Sequence, residues 1–117
     1  MVSWYYCHMA MIRDSRRQYE ARARVAKALA HPSRLLILDV LTEGECCVCN
    51  LTPLVGADQS TVSKHLAILK NAGLIDDRKQ GLNTYYRVKV HCLEGFWRCI
   101  ESVLKHNLKE QAAALRA

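Results

Sequence analysis

Asp58-Gln59-Ser60-Thr61-Val62-Ser63-Lys64-His65-Leu66 is the stretch that decides the fold. Asp58 is a good helix N-cap, and Val62, Leu66 and Leu69 recur at helical spacing. The stretch therefore predicts an amphipathic helix that runs to Ala72, where Gly73 closes it. With the apolar residues turned inward, the opposite face presents Gln59, Ser60, Ser63, Lys64 and, toward one edge, His65. Glutamine reads adenine through two hydrogen bonds, serine and histidine reach base edges or phosphates, and lysine neutralises phosphate. This is the chemistry of a helix that lies in a DNA groove.

The residues on either side supply the rest of a DNA-binding unit. Gly56-Ala57 is a turn, and before it a short helix covers roughly Val48 to Val55. Its entry has two readings, because Thr52-Pro53 also suits a cap and first residue, with Cys46 to Asn50 then an irregular lead-in. Further upstream, Pro32 opens a helix with Leu35, Leu38 and Leu41 at regular spacing and Gly44 as its stop, and Ile12 to Ala30 reads as another helix. Downstream, Leu74-Ile75 and Asp76-Asp77-Arg78-Lys79, the loop Gln80-Gly81-Leu82-Asn83, and Thr84 to Val90 make a hairpin whose second arm is β-branched and aromatic. Arg78, Lys79 and Asn83 on this wing reach DNA backbone or minor groove, while Tyr85 packs at its base. The expected fold is mainly α with a small β-hairpin, a winged helix-turn-helix. A last helix carries Leu93, Phe96, Trp97, Ile100, Val103, Leu104 and Leu108, a stripe wider than one small domain buries. It predicts a dimer seam, shared with the first helix.

With 117 residues, half of them apolar, the chain holds one core: an N-terminal arm over 1–11 and a single domain over 12–117. The net charge of +6 is unevenly spread. Residues 12–31 carry six basic and two acidic groups, residues 64–89 again six against two, and residues 39–58 four acids and no base. The basic blocks suit a polyanion, and the acidic one concentrates cations; taken singly, each block also reads as a solvated helix face. No signal peptide or membrane span is expected, so the cytoplasm is the expected compartment.

Of six cysteines, three fall within Cys46-Cys47-Val48-Cys49. Thiolates favour soft ions such as As(III), Sb(III), Cd(II), Pb(II) and Zn(II). Side chains at i and i+2 diverge within a helix, so Cys47 and Cys49 share an ion only at a helix start. With Cys47 as N-cap they can meet, and the helix N-terminus lowers thiol pKa. Cys46 reads either as a third ligand or as a small buried hydrophobe. Cys7 lies in the arm, as a lid over the thiols or part of a frayed tail. Cys92 and Cys99, seven apart, form a second soft site, complete the first, or pack beside Phe96.

Leu29-Ala30-His31-Pro32-Ser33-Arg34-Leu35-Leu36-Ile37-Leu38, Glu45-Cys46-Cys47-Val48-Cys49-Asn50-Leu51, Ser60-Thr61-Val62-Ser63-Lys64-His65-Leu66 and Asp77-Arg78-Lys79-Gln80-Gly81 together resemble the ArsR/SmtB metalloregulators, especially arsenic-responsive repressors. The resemblance spans about residues 24–90 and implies a homodimeric repressor that leaves its operator when an inducer binds. Cys47 and Cys49 match the first two thiols of the arsenical motif, Cys46 replaces a leucine, and Thr52 stands where a third cysteine is usual. The family's zinc site on the last helix is not expected, because Val90, Cys92, Val103 and His106 occupy its positions. The function expected is operator release driven by As(III), Sb(III) or another thiophilic ion. A second reading replaces the ion with oxidation or persulfidation of the same thiols. An enzymatic reading of Cys46-x-x-Cys49 lacks the βαβ pattern a redox pair would need.

Overall fold

A computed structural model describes residues 15–116. The arm over 1–11, with Cys7, and the first residues of the helix expected from Ile12 lie outside the described residues. Helix α1 spans Arg16–Leu29, α2 Pro32–Thr42, strand β1 Cys46–Cys47, α3 Val48–Val55 and α4 Gln59–Asn71; the wing is β2 Ile75–Gln80 and β3 Asn83–Val88, and α5 is Leu93–Arg116.

Local chemistry sets these boundaries. His31 caps α2 by accepting the Ser33 N–H on Nδ1 at 3.1 Å, and Pro32 occupies the first helical position, where its missing N–H costs nothing. Arg34 reaches back to the end of α1, donating from Nε to the Ala28 carbonyl at 2.6 Å. Gly56 takes φ +75° at the C-cap of α3, a left-handed conformation that strains any other L-residue. Helix α4 ends in a Schellman arrangement, with Leu74 N–H on the Leu69 carbonyl at 3.1 Å and Gly73 N–H on Lys70 at 3.0 Å.

The core gathers Ile37, Leu38 and Leu41 of α2, Leu51 of α3, and Val62, Leu66 and Leu69 of α4 against Leu74, Ile75 and Leu93. Leu35, expected inside, is only half-buried; Ile37 takes its place. The sheet differs more. It has three antiparallel strands in the order β1-β3-β2, because Cys46 pairs with Tyr86 and Cys47 with Tyr85. The lead-in to α3 is thus an edge strand of the wing. The hairpin loop is Gly81-Leu82, two residues shorter than expected, since Gln80 and Asn83 pair with each other. Gly81, at φ +63°, supplies the positive φ of a tight turn. Of α5, only Leu93 is buried.

Candidate functional site

Gln59, Ser60, Ser63 and Lys64 are all exposed on α4. Asp58 accepts the Thr61 N–H at 2.8 Å and the Ser60 hydroxyl at 3.0 Å on the same carboxylate oxygen, which orders the first turn. Thr61 chiefly holds that carboxyl below the usual range. The face is thereby presented from a capped helix whose opposite side is anchored in the core.

His65 departs from the expected face. It is half-buried and turned to α2, its ring 4.4 Å from that of His31 and its Nδ1 3.2 Å from an Arg34 guanidinium nitrogen. Burial, then the charges of His31 and Arg34, lower its pKa below the ordinary 6.5. As pH falls through that value the unfolded chain takes up a proton that the folded chain resists. The stability this contact confers is complete above pH 6.5 and is lost as pH drops through the lower folded value. The urea midpoint should therefore be lower at about pH 5.5 than at about pH 7.5, and His65→Gln should narrow the gap. Equal midpoints for the unsubstituted chain would contradict this placement of His65.

On the wing, Arg78, Lys79 and Asn83 are exposed. Arg78 is engaged by its own protein: Nε lies 3.2 and 3.0 Å from the two Glu45 carboxylate oxygens and a terminal nitrogen 2.7 Å from one of them. Its other terminal nitrogen donates to Gln80 Oε1 at 2.8 Å, and the guanidinium lies 5.0 Å from the Tyr85 ring centroid. These hydrogen bonds hold the Glu45 carboxyl below the usual carboxylate range. A second tie, Lys70 Nζ to Asp77 at 3.0 Å, joins α4 to β2.

The thiols sit where sheet meets helix. Cys47 is the N-cap of α3, with extended φ −84° and ψ 165°, so its side chain is free of the helical direction. Its Cα is 5.3 Å from that of Cys49, and the two sulfurs are joined as a disulfide. Cys47 is buried and Cys49 exposed. Cys46 projects from the other face of β1 and packs against the core, so it does not converge with the pair. Cys92 precedes the first turn of α5, and Cys99 lies within that helix. Both are exposed and free. Among the described residues no three His, Cys, Asp or Glu side chains gather in a metal-holding group. Thr52 spends its hydroxyl on the Val48 carbonyl at 2.8 Å. The sequence reading missed Glu45; its neighbours in β1 were too few to show a strand period.

A helix, a tight turn, a capped helix with a polar outer face and a hairpin wing define a winged helix-turn-helix DNA-binding protein. The family profile described as bacterial regulatory protein, arsR family, matches residues 31–77. The chain is 41% identical over 81 residues to the arsenical resistance operon repressor of Escherichia coli K12, covering 62% of this chain and 69% of that one. It is 42% identical over 72 residues to an uncharacterised HTH-type transcriptional regulator of Methanocaldococcus jannaschii, covering 61% and 81%. The homodimeric winged helix-turn-helix DNA-binding domain of a possible ArsR-family regulator from Mycobacterium bovis superposes with TM-score 0.69 at 32% identity, covering 82% of this chain and 89% of that one. The chain belongs to the arsR family of bacterial regulatory proteins. Its relatives are transcriptional regulators, so Cys46-x-x-Cys49 belongs to a DNA-binding regulator and not to an enzyme. Among the described residues no helix is long and apolar enough to cross a membrane.

Proposed function

We propose that this chain is a cytoplasmic, homodimeric repressor whose hold on operator DNA is released when As(III), or a similar thiophilic ion such as Sb(III), binds the reduced Cys47 and Cys49 thiols. The observation that carries the reading is that Cys47, extended at the N-cap of α3, brings its sulfur together with that of Cys49 across the helix start, so both can reach one atom. With arsenous acid, each of the two thiol protons leaves with an arsenic hydroxide as water, two As–S bonds form, and the third arsenic position keeps its hydroxide. Cd(II), Pb(II) and Zn(II) are softer-site competitors for the same pair.

The site is placed to move DNA-binding parts. Helix α3 is the first half of the helix-turn-helix and is weakly braced: Pro53 has no N–H for the Cys49 carbonyl, and its ring crowds that carbonyl. Strand β1 carries the same disturbance into the wing.

Gln59, Ser60, Ser63 and Lys64 meet the major groove, with Lys79 and Asn83 on the backbone. Ser63→Ala removes an exposed hydroxyl and no core contact, so it should weaken operator binding about 5- to 30-fold, the scale of one lost base or phosphate contact, with ion binding intact. Unchanged operator affinity in a fluorescence anisotropy titration would remove Ser63 from the reading face. The dimer is supported by Val103, Leu104 and Leu108, which are 52%, 56% and 64% exposed in the protomer. Sedimentation equilibrium should give a dimer at micromolar concentration and a twofold operator to match. A stable monomer would count against it.

A second reading is favoured by the disulfide itself: oxidation of the same pair, with two protons and two electrons passed to an oxidant such as peroxide, closes Cys47 onto Cys49. Operator release by peroxide without any response to As(III) would select it.

A further inference from the structure

Cys47, Tyr85 and Arg78 occupy one row across the three strands, because Tyr85 pairs with Cys47 on one side and with Arg78 on the other. Residues directly opposite in antiparallel strands share a face, so a cysteine of the thiol pair, an aromatic ring and a wing arginine stand side by side. Glu45, two residues before Cys47, shares that face and grips the arginine from 33 positions away in sequence, with three of its hydrogen bonds between 2.7 and 3.2 Å. Gln80 takes the remaining terminal nitrogen and Tyr85 lies under the guanidinium. An exposed arginine offered to phosphate would instead extend from the wing with its charge uncompensated.

We propose that Arg78 is a positioning residue and not a phosphate anchor: Glu45 and Tyr85 hold it over the thiol strand, so that the wing follows whatever moves Cys47. The proposal rests on the reading of Cys47 and Cys49 as the sensing pair. Planar, two-pronged recognition suits this role, since it fixes orientation as well as distance. Lys79, exposed on the adjacent position, is then the wing cation that meets the DNA backbone.

Two measurements on the full-length dimer test this. The first is the dependence of operator affinity on salt, which does not involve the inducer. Each phosphate contact contributes about 0.9 to the slope of log affinity against log salt. Replacing the pair together, Glu45→Gln with Arg78→Gln, leaves no orphaned carboxylate and should keep the slope of the unsubstituted protein, whereas Lys79→Gln, which removes one contact from each protomer, should make it shallower by about two. A slope shallower by about two in the paired variant overturns the proposal.

The second is operator release by As(III), read beside As(III) binding to the thiols. The paired variant should bind As(III) as before, and its ratio of operator affinity without and with As(III) should fall at least about fivefold, from within the usual 5- to 150-fold range of coupling. An unchanged ratio with a native melting profile overturns the proposal. If the unsubstituted protein ignores As(III), the proposed function fails, and the salt slopes alone decide the role of Arg78.

Discussion

Cys47→Ser and Cys49→Ser should each give a repressor that binds its operator normally and no longer releases it when As(III) is added. Serine keeps the size of the side chain and the extended N-cap conformation at position 47, so α3 and the wing strand form as before. What disappears is a soft donor. An alcohol oxygen does not compete with water for arsenic, and one remaining thiol cannot draw β1 and the first turn of α3 into a common geometry. Release in the unsubstituted protein amounts to about 1–3 kcal/mol of coupling, or 5- to 150-fold in operator affinity, and each serine variant should bring that factor close to one. Cys92→Ser and Cys99→Ser should stay within about twofold of the parent, because these thiols are exposed and lie outside the helix-turn-helix and the wing. Normal release by the position-47 and position-49 variants, with loss in either α5 variant, would move the sensing site to the last helix.

The second large effect concerns the scaffold. Leu66 is 0% exposed and lies on the inner face of α4, the helix that carries Ser63 and Lys64 of the reading face. Leu66→Ala removes buried methyl groups and leaves a cavity, a loss of about 2–5 kcal/mol. A domain of ordinary stability has about 5–15 kcal/mol in total, so a large share of folding is at stake. With a urea slope of about 1–3 kcal/mol per molar, the midpoint should fall by at least about 0.7 M. Operator affinity should fall as well, since the helix loses the contact that sets its depth in the domain. An unshifted midpoint would mean that α4 is not seated as described.

Much of this arrangement was legible in the residues because it is set locally. Asp58 and Pro32 mark helix starts, Gly56 and Gly73 mark stops, and Val62, Leu66 and Leu69 repeat at the helical period; each signal lies within a few residues of what it specifies. Cys47 as an N-cap was readable for the same reason. The features that were not legible are tertiary. Strand β1 is two residues long and exists only because β3 offers it an edge, so no alternation in sequence announces it. The Glu45–Arg78 pair spans 33 positions, and from the sequence Arg78 is simply another wing cation. His65 lies at the border between the inner and outer faces of α4, where a small rotation decides between DNA and the ring of His31. Cys92 and Cys99 have helical spacing in sequence, yet α5 begins at Leu93, which leaves Cys92 outside it.

The central claim is that reduced Cys47 and Cys49 take a thiophilic ion and that this weakens DNA binding. Its most direct test is a fluorescence anisotropy titration of the fully reduced dimer on a labelled operator, selected from genomic fragments by the purified protein, with and without As(III). The account predicts that saturating As(III) weakens operator affinity about 5- to 150-fold, with the change complete at one ion per pair of thiols. Operator affinity that stays the same in saturating As(III), while peroxide alone releases the DNA, would contradict it.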